Sequence, residues 1–493
     1  MLIGVDVGTT GVKAVSFDAA GAQSFVRSCP SPVATAAGRN EQSPATMLRA
    51  VQQVLTELAG DLRGAGRTID GIGVTGQGEG LWALDESGRP LEPAMLWNDS
   101  RAEEIVEEWR ADPALYRRLR DVLGTNVKAG ATLALLVWEA RHRTYPRPIA
   151  QVVTCKDMVR AWLTDEVQWE LTDASCSVMD LRSRTIADDV LKEVGAGEFV
   201  GRFPPLVSST EITGRTTDRI EELTGIPSGT PVAAGAIDIV ATAVGAGVSR
   251  PGDCCVILGT TGMTFTVTPD YTPDTDQGGW EYFIDGTNYI HGLGTMAATP
   301  NQDLWLELLG ISLTELSAQE DRLWARMEDG PWAGGLLYLP HVSEGGERAP
   351  FVDPHACGEL KGFRVGTTKQ DILLAVMGGV AMSVRACLEA AGGGDGRLSL
   401  TGGGARSRVW AQIVADCTGR EVATSSATEL GARGAALLVG IGMGAVSRFD
   451  ADGVTYRPDP SRQGEWDALY EEYLAAQSGA RRFWARRAER MSR

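Results

Sequence analysis

The chain has 493 residues, 43% of them hydrophobic and 22% charged, which is typical of a soluble globular protein of two or three domains. The formal net charge of -18 argues against non-specific binding to nucleic acid or to an anionic membrane surface. An anionic ligand would therefore need a local site of backbone NH groups, a metal ion or a few placed cations.

The cysteines and histidines show no metal-binding or disulfide pattern. The 8 cysteines are scattered without a CxxC pair, which predicts reduced thiols of a cytoplasmic protein. The 4 histidines have no HExxH or other zinc-ligand spacing, so no histidine-based metal site is expected. The first residues enter a strand without a basic region, which argues against a signal peptide. The longest apolar glycine-rich run, Gly434 to Val446, is shorter than the roughly 20 residues of a membrane span.

The first predicted elements are two strands around a tight turn. The strands are Leu2 to Val7 and Val12 to Phe17, and the turn is Gly8-Thr9-Thr10-Gly11. A third strand is predicted near Gln23 to Arg27. Asp6 lies in the first strand, two residues before the turn, and a carboxylate in an otherwise apolar strand needs an explanation.

A helix and a further strand follow. Ser43 caps the helix, Pro44 occupies its first turn, and apolar residues then recur at helical spacing. The next strand is Ile69 to Thr75. Strand hairpins followed by strand–helix alternation predict α/β layers.

The second half of the chain repeats the opening of the first half. Cys254 to Leu258 and Met263 to Val267 are predicted strands around a second tetrad, Gly259-Thr260-Thr261-Gly262. Ile257 stands where Asp6 stands in the first copy. The hairpin is duplicated and the charge is not, which indicates that Asp6 serves chemistry and not folding.

The turn at Pro251-Gly252-Asp253 is the predicted domain boundary, which gives domains of residues 1–250 and 251–493. Later predicted elements are a strand at Leu398 to Thr401, a helix from about Ser407 to Cys417, a helix from Glu429 and a closing helix or two over Trp466 to Arg493.

The two tetrads are either tight turns or phosphate-binding loops. Glycine lets backbone NH groups approach a phosphate closely, and threonine hydroxyls add donors without charge. One tetrad alone favours a turn, whereas two tetrads between strands favour phosphate binding. Lys13, just past the first tetrad, is either a phosphate-binding cation or a solvated strand residue.

A glycine-rich loop follows the strand that ends near Thr75. Gly71, Gly73 and Gly76 fit a GxGxxG spacing, but a strand-like segment, Leu81 to Leu84, follows instead of a helix, which argues against nicotinamide binding. Gln77 and Glu79 lie on a loop that either binds a hydroxyl-rich ligand or is a solvated turn.

Two further motifs carry candidate chemistry. Asp238, before an apolar helical stretch, is either a helix N-cap or a general base at a strand-to-helix junction. The glycine triplet Gly402-Gly403-Gly404, between a strand and a helix, offers a flat surface to a nucleotide. Ser407 is a candidate cap of that helix, and Trp410 is expected in the core. No Gly-Lys dipeptide occurs, which excludes a Walker-type P-loop.

Together these motifs resemble the FGGY family of carbohydrate kinases, within the actin-like ATPase superfamily. The resemblance runs almost end to end, with all motifs in family order: "GVDVGTTGVKAV", "GQGEG", "WNDSR", "TDAS", "GAID", "LGTTG", "GGERAPFVDPHACGELKG" and "TGGGARSRVWAQIVADCTG". It implies an α/β fold of two RNase H-like domains around a central cleft, with the sugar site and catalytic base in the N-terminal domain and the nucleotide site in the C-terminal domain.

The resemblance also implies roles for individual residues, with ATP and Mg²⁺ as cofactors. Asp238 matches the catalytic base and Asp6 the magnesium-associated aspartate, and Asp238 also lies near the metal and the substrate hydroxyl. The residues expected around ATP are Gly8, Thr9, Thr10, Gly11, Lys13, Gly259, Thr260, Thr261, Gly262, Gly402, Gly403, Gly404 and Ser407. The residues expected around the sugar are Gln77, Gly78, Glu79, Trp97, Asp99, Arg101 and Asp238.

Several alternatives stay open at this point. The loop Gly78-Glu79-Gly80 looks more like the branches of the family that act on erythritol or L-xylulose than like the D-xylulose kinases. A non-catalytic sugar-responsive regulator and an actin- or chaperone-type ATPase are the competing classes. The expected partner is a small sugar or polyol, with no nucleic acid and no membrane, and a homodimer is compatible with the family. We expect Asp6 and Asp238 to converge from opposite flanks of a shared cleft.

Overall fold

The computed structural model describes residues 1–272, 279–330, 335–425, 427–449 and 453–491, in which strands and helices are organised around two large sheets. The strands of the first half are β1 Leu2–Val7, β2 Gly11–Phe17, β3 Gln23–Pro30, β4 Ala34–Ala36, β5 Arg39–Gln42, β6 Gly71–Gly76, β7 Trp82–Leu84, β8 Ala94–Met95, β9 Gln151–Val153, β10 Trp169–Glu170, β11 Met179–Asp180, β12 Thr185–Ile186, β13 Leu206–Val207, β14 Ile212–Arg215 and β15 Pro231–Ile237. The helices of the first half are α1 Pro44–Gly64, α2 Glu103–Ala111, α3 Pro113–Leu123, α4 Thr132–His142, α5 Cys155–Thr164, α6 Leu171–Ser175, α7 Asp188–Glu193, α8 Asp218–Thr224 and α9 Asp238–Gly245.

The second half of the chain also consists of strands and helices. Its strands are β16 Cys254–Leu258, β17 Gly262–Thr268, β18 Trp280–Phe283, β19 Tyr289–Thr295, β20 Leu337–Leu339, β21 Glu359–Lys361, β22 Leu398–Thr401, β23 Val422–Thr424 and β24 Thr455–Tyr456. Its helices are α10 Thr299–Leu309, α11 Leu313–Ala318, α12 Glu320–Met327, α13 Lys369–Ala390, α14 Arg408–Thr418, α15 Leu430–Gly442 and α16 Gln463–Met491. Residues 492–493, the end of the predicted closing helix, lie outside the described residues.

The two large sheets share one topology. The first has the order β14-β15-β6-β1-β2-β3, in which β1 pairs antiparallel with β2 and parallel with β6. The second has the order β18-β19-β17-β16-β22-β23-β24, in which β16 pairs antiparallel with β17 and parallel with β22. The predicted duplication of the hairpin is therefore confirmed, and so is the α/β class.

Most predicted elements lie where the sequence places them. The strands β1, β16 and β22 have the predicted bounds. Helix α1 begins after Ser43, whose hydroxyl accepts a hydrogen bond from the Thr46 N–H, and Ser407 caps α14 in the same way through the Trp410 N–H. The Trp410 side chain is buried, as expected. Strand β7, and not a helix, follows the GxGxxG-like glycines.

Each sheet has its own core. In the first half α1 covers β1, β2 and β6 with an apolar face that repeats at helical spacing, including Met47, Val51, Val54 and Leu58. In the second half α13, α14 and α16 pack around β16 and β22. Among the described residues, α13 is the one helix long and apolar enough to cross a membrane, and 89% of its apolar window is buried inside the protein, as in a core helix.

Helix α15 comes late in the chain but packs on the first sheet. A methyl group at Gly4 of β1 would lie 1.8 Å from the carbonyl oxygen of Ala432, and one at Gly73 of β6 would lie 1.8 Å from the carbonyl oxygen of Ala435. Neither contact leaves room for a side chain, so backbone meets backbone. We call this contact the glycine seam, and it fixes α15 against β1 and β6.

Candidate active site

Asp6 and Asp238 lie at the same edge of the first sheet. Asp6 is the penultimate residue of β1, and Asp238 is the first residue of α9, directly after β15. Both strands run parallel to β6, where Thr75 lies opposite Asp6 and also opposite Ala236. The expectation that the two acids approach from opposite flanks is wrong, because β15 returns to the first sheet beside β6.

The charge of Asp6 acts on the carboxyl group of Asp238. The pKa of Asp238 is raised to about 7, first because burial destabilises the charged carboxylate and then because the charge of Asp6 repels it. Burial also raises the pKa of Asp6 to about 6, with Lys13 acting to lower it and Glu429 to raise it. Two acids with raised pKa values at one sheet edge form a site where a cation or a proton is stabilised.

The side chain of Asp238 does not cap its helix in the usual way. Ile237 occupies the N-cap position, and Asp238 Oδ1 accepts a hydrogen bond of 2.7 Å from the backbone N–H of Ile239. An N-cap side chain would instead accept from the second or third residue of the helix. The helix start therefore orients this carboxylate while leaving its other oxygen for other partners.

The backbone just before Asp238 is held by hydroxyl groups from both sides. The N–H of Ile237 donates to Thr172 Oγ1 at 2.9 Å, and that hydroxyl donates to Glu170 Oε2 at 2.6 Å. The hydroxyl of Thr75 donates to the carbonyl oxygen of Ala236 at 2.7 Å. These bonds fix the position from which the Asp238 side chain extends.

Glu170 belongs to a fully buried ionic cluster behind the site. The Lys156 ammonium lies 3.1 Å from Asp157, 3.2 Å from Glu170 and 2.9 Å from Asp173. The Arg160 guanidinium lies 2.9 Å from Asp157. Burial raises the pKa of Asp173, the charges of Asp157 and Glu170 raise it further, and Lys156 lowers it.

The first tetrad and the predicted sugar loop form one hydrogen-bond network. The hydroxyl of Thr9 donates to Gln77 Oε1 at 3.1 Å and accepts from Trp97 Nε1 at 3.0 Å. Gln77 Nε2 donates to Gln42 Oε1 at 3.0 Å. Next along the loop, a methyl group at Gly78 would lie 2.0 Å from the Ile237 side chain, so the loop packs against the residue that precedes Asp238.

Glu79 has a partner that the sequence does not reveal. Its Oε2 lies 2.6 Å from the ammonium of Lys128, which in turn lies 5.1 Å from the centroid of the Trp97 ring. The charges of Glu79 and Lys128 both act on the pKa of Asp238, Lys128 lowering it and Glu79 raising it. Lys128 therefore belongs to the site, although no motif singles out a lone lysine 49 residues after its partner.

Asp99 and Arg101 bond mainly to the protein itself. Arg101 donates from N and from Nε to Asp99 Oδ1, both at 2.8 Å, and from Nη2 to Glu41. Asp99 Oδ2 accepts from the Asn40 N–H at 2.8 Å. These bonds hold the turn that carries Trp97 in place, and substrate contact by either residue stays a prediction.

Lys13 and Glu429 link the first hairpin to helix α15. Lys13 lies opposite Asp6 in the β1–β2 ladder, and its ammonium lies 2.7 Å from Glu429 Oε2 at the start of α15. A methyl group at Gly431 would lie 2.9 Å from Asp6 Oδ2. The first turn of α15 is therefore part of the surroundings of Asp6, which no sequence pattern indicates.

The second tetrad and the glycine triplet lie together in the second half. Gly402 has φ +88°, and a methyl group there would lie 2.6 Å from the carbonyl oxygen of Leu258, just before the second tetrad. The N–H and the hydroxyl of Thr299 both donate to the carbonyl oxygen of Gly259, at 2.9 and 3.0 Å. A cavity of about 370 Å³ opens beside the triplet, and its lining includes Gly403, Gly404, Ser407, Thr299 and Trp410.

The site suits a hydrated divalent cation better than a tightly coordinated one. Within the part of the chain that the structure describes, no group of three or more His, Cys, Asp or Glu residues could hold a metal ion. Mg²⁺ is commonly held by one or two carboxylates together with waters and substrate phosphates. Asp6 and Asp238, two half-buried acids with raised pKa values, fit that requirement.

The fold and site define the class of protein first. Two sheets of the same topology, each with a Gly-Thr-Thr-Gly hairpin, and a carboxylate pair at one sheet edge define the actin-like ATPase class. The chain belongs to the FGGY family of carbohydrate kinases: the family's N-terminal domain matches residues 1–245 and its C-terminal domain matches residues 254–443. It is therefore a phosphotransferase that uses ATP and an alcohol group as acceptor.

Similar proteins span nearly the whole chain. An erythritol kinase of Brucella abortus (strain 2308) is 29% identical over 98% of this chain and 97% of its own. An L-xylulose/3-keto-L-gulonate kinase of Escherichia coli (strain K12) is 30% identical over 91% of this chain and 89% of its own. The crystal structure of a xylulose kinase from Rhodospirillum rubrum is 28% identical, with a TM-score of 0.85 over 98% of this chain and 99% of its own.

Proposed function

We propose that this protein transfers the γ-phosphate of ATP, with Mg²⁺, to a hydroxyl of a small polyol or ketopentose of the erythritol or L-xylulose type, with Asp238 as the general base. The observation that carries the proposal is the meeting of Asp6, Asp238 and the loop that bears Gln77 and Glu79 at one edge of the first sheet. D-xylulose is the alternative acceptor.

Asp238 accepts the proton of the attacking hydroxyl as the new P–O bond forms. A carboxylate whose pKa lies near the working pH combines a useful basic fraction with a real driving force for proton transfer. The bonds from Thr172 and Thr75 to the preceding backbone keep this carboxylate in position. Phosphoryl transfer asks the protein chiefly for such positioning and for charge stabilisation.

The remaining groups of the proposal surround the nucleotide and the metal. Asp6 and Asp238 would hold Mg²⁺, directly or through water, and the ion would neutralise phosphate charge. The backbone NH groups of Gly8, Thr9, Thr10, Gly11, Thr260, Thr261 and Gly262 and the ammonium of Lys13 are assigned to the phosphates. Gly402, Gly403, Gly404 and Ser407 are assigned to the adenosine, beside the cavity of about 370 Å³.

A panel of acceptors tests the proposal. ADP release is measured with erythritol, L-xylulose, D-xylulose, xylitol, ribitol, D-ribulose and glycerol. We expect the highest kcat/KM with erythritol or L-xylulose. Sugar binding without ADP release would support a non-catalytic regulator, and ATP hydrolysis that no sugar stimulates would support an ATPase that acts on protein.

Glu79→Ala tests the acceptor side of the site. We expect the KM for the best acceptor to rise at least tenfold, because a lost hydrogen bond to a charged group is worth about 1.5–3 kcal/mol. The KM for ATP should change little, since Glu79 lies in the sugar loop and pairs with Lys128. Steady-state kinetics with each substrate varied in turn decide the matter, and equal effects on both KM values would remove Glu79 from the sugar site.

The raised pKa of Asp238 predicts an acid limb in the pH profile. The base is competent only when deprotonated, so kcat/KM for the acceptor should fall as the pH drops below about 7, approaching tenfold per pH unit. A bound cation would move the limb to lower pH. Initial rates from pH 5 to 9 measure the limb, and circular dichroism at each pH controls for unfolding. A rate that stays constant down to the pH at which circular dichroism reports unfolding would contradict the role of Asp238.

The same proposal includes a cytoplasmic location and a domain boundary between residues 250 and 251. The turn at Pro251–Asp253 joins α9 to β16 and so separates the two sheets along the chain. Gel filtration with light scattering tests the homodimer.

A further inference from the structure

We propose that the Glu79–Lys128 ion pair makes the acceptor pocket selective for uncharged polyols and ketoses over sugars that carry a carboxylate. This inference rests on the proposed function and names the charge class of its substrate. This ion pair places one negative and one positive charge at the sugar loop.

Glu79 is a buried residue of the sugar loop. Its side chain is 8% exposed, whereas that of Lys128 is 49% exposed. The backbone of Glu79 has φ +57°, in the left-handed region, and Gly80 follows with φ +74°. This turn holds the carboxylate where it meets Lys128.

Lys128 is already engaged. Its ammonium lies 2.6 Å from Glu79 Oε2 and 5.1 Å from the centroid of the Trp97 ring. The Trp97 ring is in turn held by the hydrogen bond from its Nε1 to Thr9 Oγ1 at 3.0 Å. An anionic acceptor would have to compete with Glu79 for this cation.

The other charges around the site are of both signs. Asp6 and Asp238 add two carboxylates, and the Lys13 ammonium lies 2.7 Å from Glu429. The Arg348 guanidinium, from the second half, is a further cation whose charge acts on Lys128, and its Nε donates to the carbonyl oxygen of Gly294 at 2.7 Å. A substrate carboxylate entering beside Glu79 would lose water and meet like charge, which selects against it.

One pair of compounds with the same carbon chain tests this selectivity. Erythritol and D-erythronate differ in that one terminal CH2OH group is a carboxylate in the second compound. If the panel favours another acceptor, that acceptor and the acid with one of its terminal CH2OH groups oxidised to a carboxylate replace this pair. In the unchanged enzyme we expect kcat/KM to favour the polyol by roughly 100-fold, since like-charge contacts are strongly disfavoured in a desolvated site. Kd values for both compounds are measured by calorimetry in parallel. Their ratio gives the binding selectivity even if neither compound is phosphorylated.

Three variants assign the selectivity to the pair. Glu79→Gln keeps the shape, removes the charge and frees Lys128, so the preference for the polyol should fall about tenfold or more. In the double variant Glu79→Gln with Lys128→Met, kcat/KM for the aldonate should not rise as it does in Glu79→Gln alone, because the cation that the first substitution frees is absent. Lys128→Met alone should increase the kcat/KM preference for the polyol over the aldonate. Glu86→Gln, at an exposed acid on the turn after β7, should leave the preference unchanged.

The outcomes separate this inference from the proposed function. Melting temperature and ATP binding establish that each variant is folded. Equal losses on both compounds in Glu79→Gln, or an unchanged enzyme that uses the aldonate as well as the polyol, would overturn the selectivity while leaving the kinase in place. Absence of ADP release with every acceptor would instead overturn the proposed function, and the Kd values would still report on the pair.

Discussion

Replacing Asp238 by Asn should lower kcat by a factor of roughly 10²–10⁴ and leave the affinity for ATP nearly unchanged. The amide keeps the size of the carboxylate but cannot accept the proton of the attacking hydroxyl. The bonds of the neighbouring backbone to Thr172 and Thr75 do not involve this side chain, so the fold should be retained. Single-turnover rates and nucleotide titration measure the two quantities separately.

A matched control is available in the same half of the chain. Asp218 is the first residue of α8, as Asp238 is of α9, but it is exposed and its Oδ1 accepts from the hydroxyl of Ser228. Asp218→Asn should leave kcat within about twofold. Loss of ATP affinity in folded Asp238→Asn, with turnover retained, would contradict the assignment of this residue as the base.

Replacing Lys156 by Met should destabilise the protein by about 3–5 kcal/mol, because removing one member of a buried ionic cluster leaves uncompensated charge. Lys156 has no exposed side-chain surface and lies within 3.2 Å of three carboxyl groups. Urea denaturation followed by circular dichroism measures the free energy of unfolding. The activity of the folded fraction should also fall. Glu170 of this cluster accepts a hydrogen bond from the Thr172 hydroxyl, and that hydroxyl accepts one from the backbone N–H just before Asp238.

Lys192→Met provides the comparison. Lys192 is an exposed lysine in the last turn of α7, so the same substitution there should change stability by no more than about 0.5 kcal/mol. A loss below about 1 kcal/mol for Lys156→Met would show that the cluster rearranges or takes up protons instead of remaining charged.

The parts of the fold that depend on local pattern could be predicted from the sequence. The two tetrads, the strands on both sides of them and the caps at Ser43 and Ser407 depend on residues a few positions apart. Asp6 could be selected because a carboxylate in an apolar strand is costly without a role, whereas Asp238 is selected through the family resemblance, since its position alone also fits a helix cap. The absence of a helix after Gly76 could be predicted for the same local reason.

The contacts that complete the site depend on topology and could not be predicted. Glu79 meets Lys128, and Lys13 meets Glu429 from 416 residues away, because strands and helices from distant parts of the chain end at one place. The expectation that Asp6 and Asp238 face each other across the cleft was wrong for the same reason. Nothing in the local sequence of β15 shows that it returns beside β6.

The glycine seam connects the backbone of β1 and β6 to the surroundings of Asp6 through helix α15. Helix α15 lies against β1 and β6 at Gly4 and Gly73 and has its first turn beside Asp6. We expect an added methyl group at either glycine to displace the helix, and the displacement to reach the Asp6 carboxylate and the Lys13–Glu429 pair. A mutational screen read out by enzyme rate would therefore rank these two glycines with the reactive groups, although neither ever touches a substrate atom.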